Sequence, residues 1–272
     1  MQEAMLLEQP REAPFARSPV VRPPSRPVQF LGVEFDCADQ DSALAKILAR
    51  PPGEPFAYVV TPNVDHVVRL QCARSDLWPA YRHAWLTLCD SRILAKLAAR
   101  AQVGLSVAPG SDLTVAMFLR GIEPDDRIAV LGGSDEMIDL LRSRYRLTNV
   151  VHHNPPMRFI DNPVERLRAI DFVVNARARF TFFAVGSPQQ EILAYHIARA
   201  HEATGIGLCI GASLEFITAT KKRAPRIFQV LAMEWLFRLA SDPARLWRRY
   251  LLEGPMIFSI FRSWLREKRS AA

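Results

Sequence analysis

The sequence predicts an α/β fold: a mostly parallel sheet flanked by helices, with a helical appendage at the C-terminus. Three observations carry that prediction. Short apolar runs alternate with segments of helical periodicity, the pattern of strands joined by crossover helices. Polar and glycine-containing turns follow most of those runs directly. The excess basic charge is confined to the last fifth of the chain.

The runs 56–60, 85–89, 127–131, 150–152, 180–185 and 205–210 read as strands. In open parallel sheets ligands sit outside the carboxyl ends of the strands, so the residues just after each run bear most on function. Thr61-Pro62-Asn63 follows the first run, Asp90 the second and Gly132-Gly133-Ser134 the third. Gly186-Ser187-Pro188-Gln189-Gln190-Glu191 follows the fifth and Gly211-Ala212-Ser213 the sixth. Five strand ends thus point at one crevice.

Each motif has a chemical reading and a structural one. Asp90 is placed as a general base for a substrate hydroxyl, or equally as the N-cap of a helix over 91–100. Thr61 and Asn63 suit a polar ligand, or a conventional strand-to-helix turn with Asn63 as cap. Gly132-Gly133-Ser134-Asp135 suits an anion at a helix N-terminus, or a tight turn capped by Ser134. It is not a GxGxxG fingerprint with an acidic residue about 20 positions later, so a dinucleotide oxidoreductase is not supported. Gly110-Ser111-Asp112-Leu113 similarly opens a helix, and suits an anion there or, the reading preferred, Ser111 or Asp112 as its cap. Gln190 and Glu191 fall in the first turn of a helix, where Glu191 also favours the dipole.

The 272 residues, 49% of them hydrophobic, suit one large domain or one domain with appendages. Residues 1–28 carry Pro10, Pro14, Pro19, Pro23, Pro24 and Pro27 among scattered arginines and read as a disordered leader. Cys37, Cys72, Cys89 and Cys209 form no CxxC pair and read as reduced residues of a cytoplasmic protein. No apolar run approaches the roughly 20 residues of a membrane-spanning helix. The six histidines show no metal-like spacing, so no metal and no cofactor are expected.

Residues 221–272 hold 12 of the 35 Lys+Arg and 4 of the 28 Asp+Glu, which leaves 23 basic and 24 acidic side chains in the first 220. The formal charge of +7 therefore belongs to this tail. Leu246, Tyr250, Ile257, Phe261 and Trp264 recur near helical spacing among the arginines. The segment reads as two helices, 243–253 and 255–269, broken at Gly254-Pro255. Such helices can lie on an anionic membrane face or pack on the body with their arginines solvated.

In this order the motifs resemble the bacterial WecG/TagA/CpsF family, glycosyltransferase family 26, over roughly residues 30–253. The matching elements are Thr61-Pro62-Asn63, Asp90, Gly110-Ser111-Asp112-Leu113, Gly132-Gly133, Gly186 through Glu191, the segment 207–216, and Arg223-Ala224-Pro225 through Glu234-Trp235 to Arg248-Arg249-Tyr250. The resemblance implies a Rossmann-like body over 29–220 and a basic amphipathic helical appendage over 221–272 that helps close the active site. It implies inverting, metal-independent transfer of a hexosyl or N-acetylhexosaminyl unit from a UDP-sugar to a lipid-diphosphate-linked saccharide, in exopolysaccharide or cell-surface glycan synthesis. Asp90 would be the base, with Thr61, Asn63 and Gln190 positioning substrate and Arg238, Arg245 and Arg248 neutralising the diphosphate. The other matched residues assigned to substrate are Gly110, Asp112, Gly132, Gly133, Gly186 and Glu191. The sequence departs from the family pattern at Ser91 and Ala219, where glycine is usual, at Val107, where a basic residue is common, and at Glu215, where aspartate is.

The expected location is the cytoplasmic face of the cell membrane, peripherally bound, with a homo-oligomer left open and no nucleic acid as partner. Two other classes compete: a catalytically inactive scaffold of a polysaccharide assembly complex, and a basic nucleic-acid-binding protein. The second lacks a recognisable reader motif.

Overall fold

The computed structural model describes residues 25–200, 202–220, 225, 228 and 233–270. Strands β1 (Ser25–Phe30) and β2 (Val33–Cys37) form an antiparallel hairpin. Its turn residues Leu31 and Gly32 both have positive φ, 51° and 78°, as the twist of a two-residue hairpin demands. A Cβ on Gly32 would also come within 2.9 Å of Gln71 Nε2 and 3.1 Å of Trp78. The hairpin is absent from the sequence-based reading, whose leader takes in residues 25–28. Its Pro27 is tolerated because an edge strand can forgo one N–H. The rest of that leader lies outside the described residues.

The main sheet has six strands, β3 (Ala57–Val60), β4 (Leu86–Thr87), β5 (Ile128–Leu131), β6 (Val150–His153), β7 (Phe180–Phe183) and β8 (Ile206–Cys209). Their order is β4-β3-β8-β7-β5-β6 and every neighbouring pair is parallel. This is the expected Rossmann-like α/β architecture. Strands β3, β5, β7 and β8 are buried along their whole length, which is why they read as unbroken apolar runs: helices cover both faces.

On one face α1 (Gln40–Leu48), α5 (Gly110–Arg120), α6 (Asp135–Tyr145) and α9 (Ser213–Ile217) pack with Val59, Phe182 and Leu208. On the other, α2 (Val64–Cys72), α3 (Trp78–Arg82), α4 (Arg92–Arg100), α7 (Pro163–Ala176) and α8 (Gln189–Arg199) join Tyr58, Val60 and Phe183. The second run is shorter as a strand than its apolar length indicates, because β4 is an edge. Beyond Thr87 the chain still follows β3, with Leu88 N donating to Val60 O at 2.9 Å. Cys89 then bridges Val107 in parallel. That bridge draws the loop before α5 over the end of β4.

The C-terminal segment contains the helices Glu234–Ser241 and Pro243–Trp247, a π-helical stretch Arg248–Glu253, and the helix Met256–Ser270 after a turn at Gly254-Pro255. The last helix is seated on the body: Ile257 and Phe261 are buried in the same core as β3 and α2. Burying each contributes about 1.5–3 kcal/mol. Phe30 of the hairpin meets Phe261 and Trp264 edge to face at 6.1 and 5.2 Å. Among the described residues no helix is long and apolar enough to cross a membrane.

Candidate active site

The cap of α4 is Ser91, whose Oγ accepts from Leu94 N at 3.2 Å. Asp90 is therefore not the cap of this helix. Its backbone is fixed by donation from Asp90 N to Pro62 O at 3.1 Å, and it lines a cavity of about 400 Å³. Asn63 and Asp65 from the start of α2, Ser91 and Ile93, and Val107, Pro109 and Ser111 from the loop before α5 form the body side of that cavity. Trp235, Arg238, Arg249, Tyr250, Leu251 and Phe258 close it from the C-terminal segment.

Burial pushes the Asp90 carboxyl up to about 6. The charge of Arg238 pulls it down, with His66 and Asn63 acting in the same direction, and Glu234 opposes them. Desolvation wins, leaving a carboxylate able to take a proton near neutral pH.

Two arginines bring positive charge to the cavity. Arg238 lies over the Phe216 ring at 5.6 Å. Arg249 reaches Asp65 Oδ2 at 3.1 Å, while its Nε is buried with no hydrogen-bond partner among the described residues. The same Asp65 oxygen also pairs with Arg69, whose Nη1 donates to Ser187 Oγ at 2.8 Å. Trp235 and Tyr250 stack obliquely beside them, ring centres 6.2 Å apart.

Of the residues assigned from sequence, Asn63, Asp90 and Arg238 line this cavity. The others lie outside its wall or beyond description. Thr61 is buried, its Oγ1 donating to Cys209 O at 3.3 Å and so tying the ends of β3 and β8. Gly110 lets α5 approach it: a Cβ there would lie 2.9 Å from Thr61 Oγ1. Neither Ser111 nor Asp112 caps α5, contrary to the sequence reading; the cap position is Pro109, with no side-chain bond. Ser111 is thereby released to the cavity. Asp112 sits in the first turn, its carbonyl accepting from Gln40 Nε2 at 3.2 Å.

Gly132 and Gly133 form the tight turn, at φ 94° and 84°, and Ser134 caps α6 through Met137 N. Gly186 has φ 77° before α8, and its carbonyl accepts from Gln190 N at 3.1 Å. Gln190 and Glu191 are buried beneath the site, with Gln190 Oε1 accepting from Gly211 N at 2.9 Å. Arg248 points outward, 74% exposed and 3.8 Å from Glu253. The Arg245 side chain lies outside the described residues.

Arg249, Tyr250 and Trp235 are among the wall residues that sequence reasoning left unassigned. In the tandem Arg248-Arg249 the π-helical register decides which guanidinium faces inward, and spacing carries no signal of that register. The four cysteines form no disulfide, and Cys89 and Cys209 are buried; burial pushes the Cys89 thiol up to about 12. Among the described residues no group of three or more His, Cys, Asp or Glu is arranged to hold a metal ion.

Asp90 thus faces a cavity at the ends of parallel strands, with Arg238 and Arg249 of the C-terminal segment in its wall. The family model described as Glycosyl transferase WecG/TagA/CpsF family matches residues 28–270, and the chain belongs to that family of glycosyltransferases.

Proposed function

We propose that this protein is an inverting glycosyltransferase that moves a hexosyl or N-acetylhexosaminyl unit from a UDP-sugar to a lipid-diphosphate-linked saccharide in cell-surface glycan synthesis. The observation that carries the proposal is the Asp90 carboxylate, uncapped and raised to about 6, in a cavity shared with Arg238 and Arg249. Asp90 takes the proton of the acceptor hydroxyl as its oxygen attacks the anomeric carbon. The bond from that carbon to the diphosphate breaks on the opposite face, and UDP leaves with the electron pair. Arg238 and Arg249 meet the charge that develops on the departing diphosphate, the role a preorganised cationic site performs best. With two guanidiniums in that place, the reaction proceeds without a metal.

The lipid-linked acceptor is supported by the rim of the cavity. Leu251 and Phe258 line it while remaining 53% and 50% exposed, and Trp247, Leu252 and Met256 extend the apolar surface beside Arg248. An apolar ridge among basic side chains fits the headgroup boundary of an anionic membrane. The protein then works at the inner face of the cell membrane, with an acceptor that need not leave the bilayer.

Release of UDP from a panel of UDP-hexoses and UDP-N-acetylhexosamines, with lipid-diphosphate saccharides as acceptors and EDTA present, tests the reading. Acceptor-dependent release supports it. Binding of UDP with no turnover on any acceptor contradicts the transferase and favours the scaffold.

A further inference from the structure

Beneath the cavity runs a chain of polar groups that the proposed reaction does not use. Asn63 caps α2: its Oδ1 accepts from Asp65 N at 3.1 Å. His66, three residues on, closes the capping box. Its Nδ1 is 2.8 Å from Asn63 Oδ1 and accepts from Asn63 N at 3.2 Å. Nδ1 therefore holds Asn63 in either charge state, as a donor to the side-chain oxygen or as an acceptor from the backbone amide. The other ring nitrogen, Nε2, faces Glu191 Oε1 of α8 at 3.6 Å.

Glu191 is 1% exposed and His66 8%, and a carboxylate so buried needs a partner. Gln190 Nε2 donates to its Oε1 at 2.8 Å, and Gln190 is itself pinned to the end of β8 through Gly211. Burial raises the Glu191 carboxyl, but the bond and charge of His66, with Gln190 and Ser187, outweigh it and hold it below the usual range. Glu191 thus sets an acceptor opposite Nε2. The remaining groups facing the imidazole are the Tyr81 ring of α3, 6.4 Å away, and the Asp90 carboxylate.

A capping box needs neither a histidine nor a buried glutamate behind it; glutamate or glutamine at the third position usually serves. What this version adds is rigidity at one atom. With Oδ1 of Asn63 held by the α2 amide and the imidazole, the amide nitrogen is the group left to face the cavity whose wall Asn63 shares with Asp90. We propose that His66, anchored by Glu191, is a positioning residue of the transferase: it holds Asn63 so that the amide nitrogen meets the reacting carboxylate of Asp90. The proposal rests on the reading of Asp90 as the base.

The test compares full-length wild type, His66→Ala, His66→Gln and Asp90→Asn, each checked for folding by thermal melting, in steady-state UDP release across pH. His66→Ala lowers kcat about 10–100-fold with the donor KM within about threefold, the loss that a misplaced reacting group produces. Its acid limb of kcat moves to higher pH, because Asp90 loses a fixed neighbouring donor that favours its ionised form. His66→Gln, which keeps an amide N–H for Glu191, recovers part of kcat; if the alanine variant does not fold, the glutamine variant carries the same comparison. A folded His66 variant with wild-type kcat and an unmoved acid limb overturns the role of His66. A fall in kcat with an unmoved limb marks a structural histidine and overturns it equally. Wild-type turnover by Asp90→Asn would instead remove the base assignment itself, which distinguishes the two failures.

Discussion

Ser91 Oγ accepts the amide hydrogen of Leu94 across 3.2 Å, and that bond caps α4 without the Asp90 carboxylate. One residue does the helix's work so that its neighbour need not. Glycine is usual at this place in the family pattern, where the first turn of α4 would have no side-chain acceptor; here it has one.

Replacing Ser91 with alanine removes that cap and costs about 1 kcal/mol, whereas glycine costs only a few tenths. The melting temperature of Ser91→Ala falls by about 2–4 °C, and Ser91→Gly stays close to wild type. A serine without the cap role would show no such ordering in a thermal or urea melt.

The raised Asp90 value fixes two pH dependences. Turnover falls on the acid side with an apparent pKa near 6 as the base becomes protonated. For stability the sign follows from a folded-state pKa above the unfolded one: the native state binds the extra proton, so this contribution is present at low pH and lost as pH rises through about 6. Asp90→Asn, which cannot ionise, is therefore more stable than wild type at pH 8, and the difference disappears below about pH 4. Urea midpoints at the two pH values measure it.

The ion pair between Arg249 and Asp65, 3.1 Å apart with side chains 31% and 12% exposed, fastens the π-helical stretch to α2. Arg249→Ala weakens that docking by about 1–2 kcal/mol. Amide exchange over residues 248–258 then quickens by roughly 5–30-fold, while β3 and β8 keep their protection. Asp65→Asn acts in the same direction. Unchanged exchange in both variants would show that the apolar contacts of Ile257 and Phe261 alone seat the segment.

Ala219 occupies the left-handed region at φ 59°, where an L side chain costs roughly 1–2 kcal/mol. This is one of the two places where the chain departs from a glycine of the family pattern. Ala219→Gly relieves the strain at an entropic cost of about 0.5–1 kcal/mol, for a net gain of around half a kcal/mol to one, visible as a raised urea midpoint with unchanged slope.

The sheet was legible because its central strands are covered on both faces: Val59 and Tyr58, or Phe182 and Phe183, are apolar whichever way they point. The strand-end rule brought Asp90 and Asn63 to one cavity, since those turns adjoin on neighbouring strands β4 and β3. The rule does not separate residues that face the cavity from those that hold its frame. Thr61, Gly110 and Gln190 carry the same polar or glycine signal but tie strand ends and helices together. The hairpin was hidden because Arg26 and Pro27 look like the leader before them, and its support comes from Trp264, more than 200 residues away. Arg249 was hidden because the π-helical register that turns it inward is set by docking on Asp65, a contact no local pattern announces.

The most direct measurement is acceptor-dependent UDP release by wild type and Asp90→Asn at pH 7.5, beside the affinity of each for UDP. If Asp90 is the base, the variant loses at least about 10²–10⁴-fold in kcat and binds UDP as wild type does. An Asp90→Asn protein that turns over at the wild-type rate contradicts it.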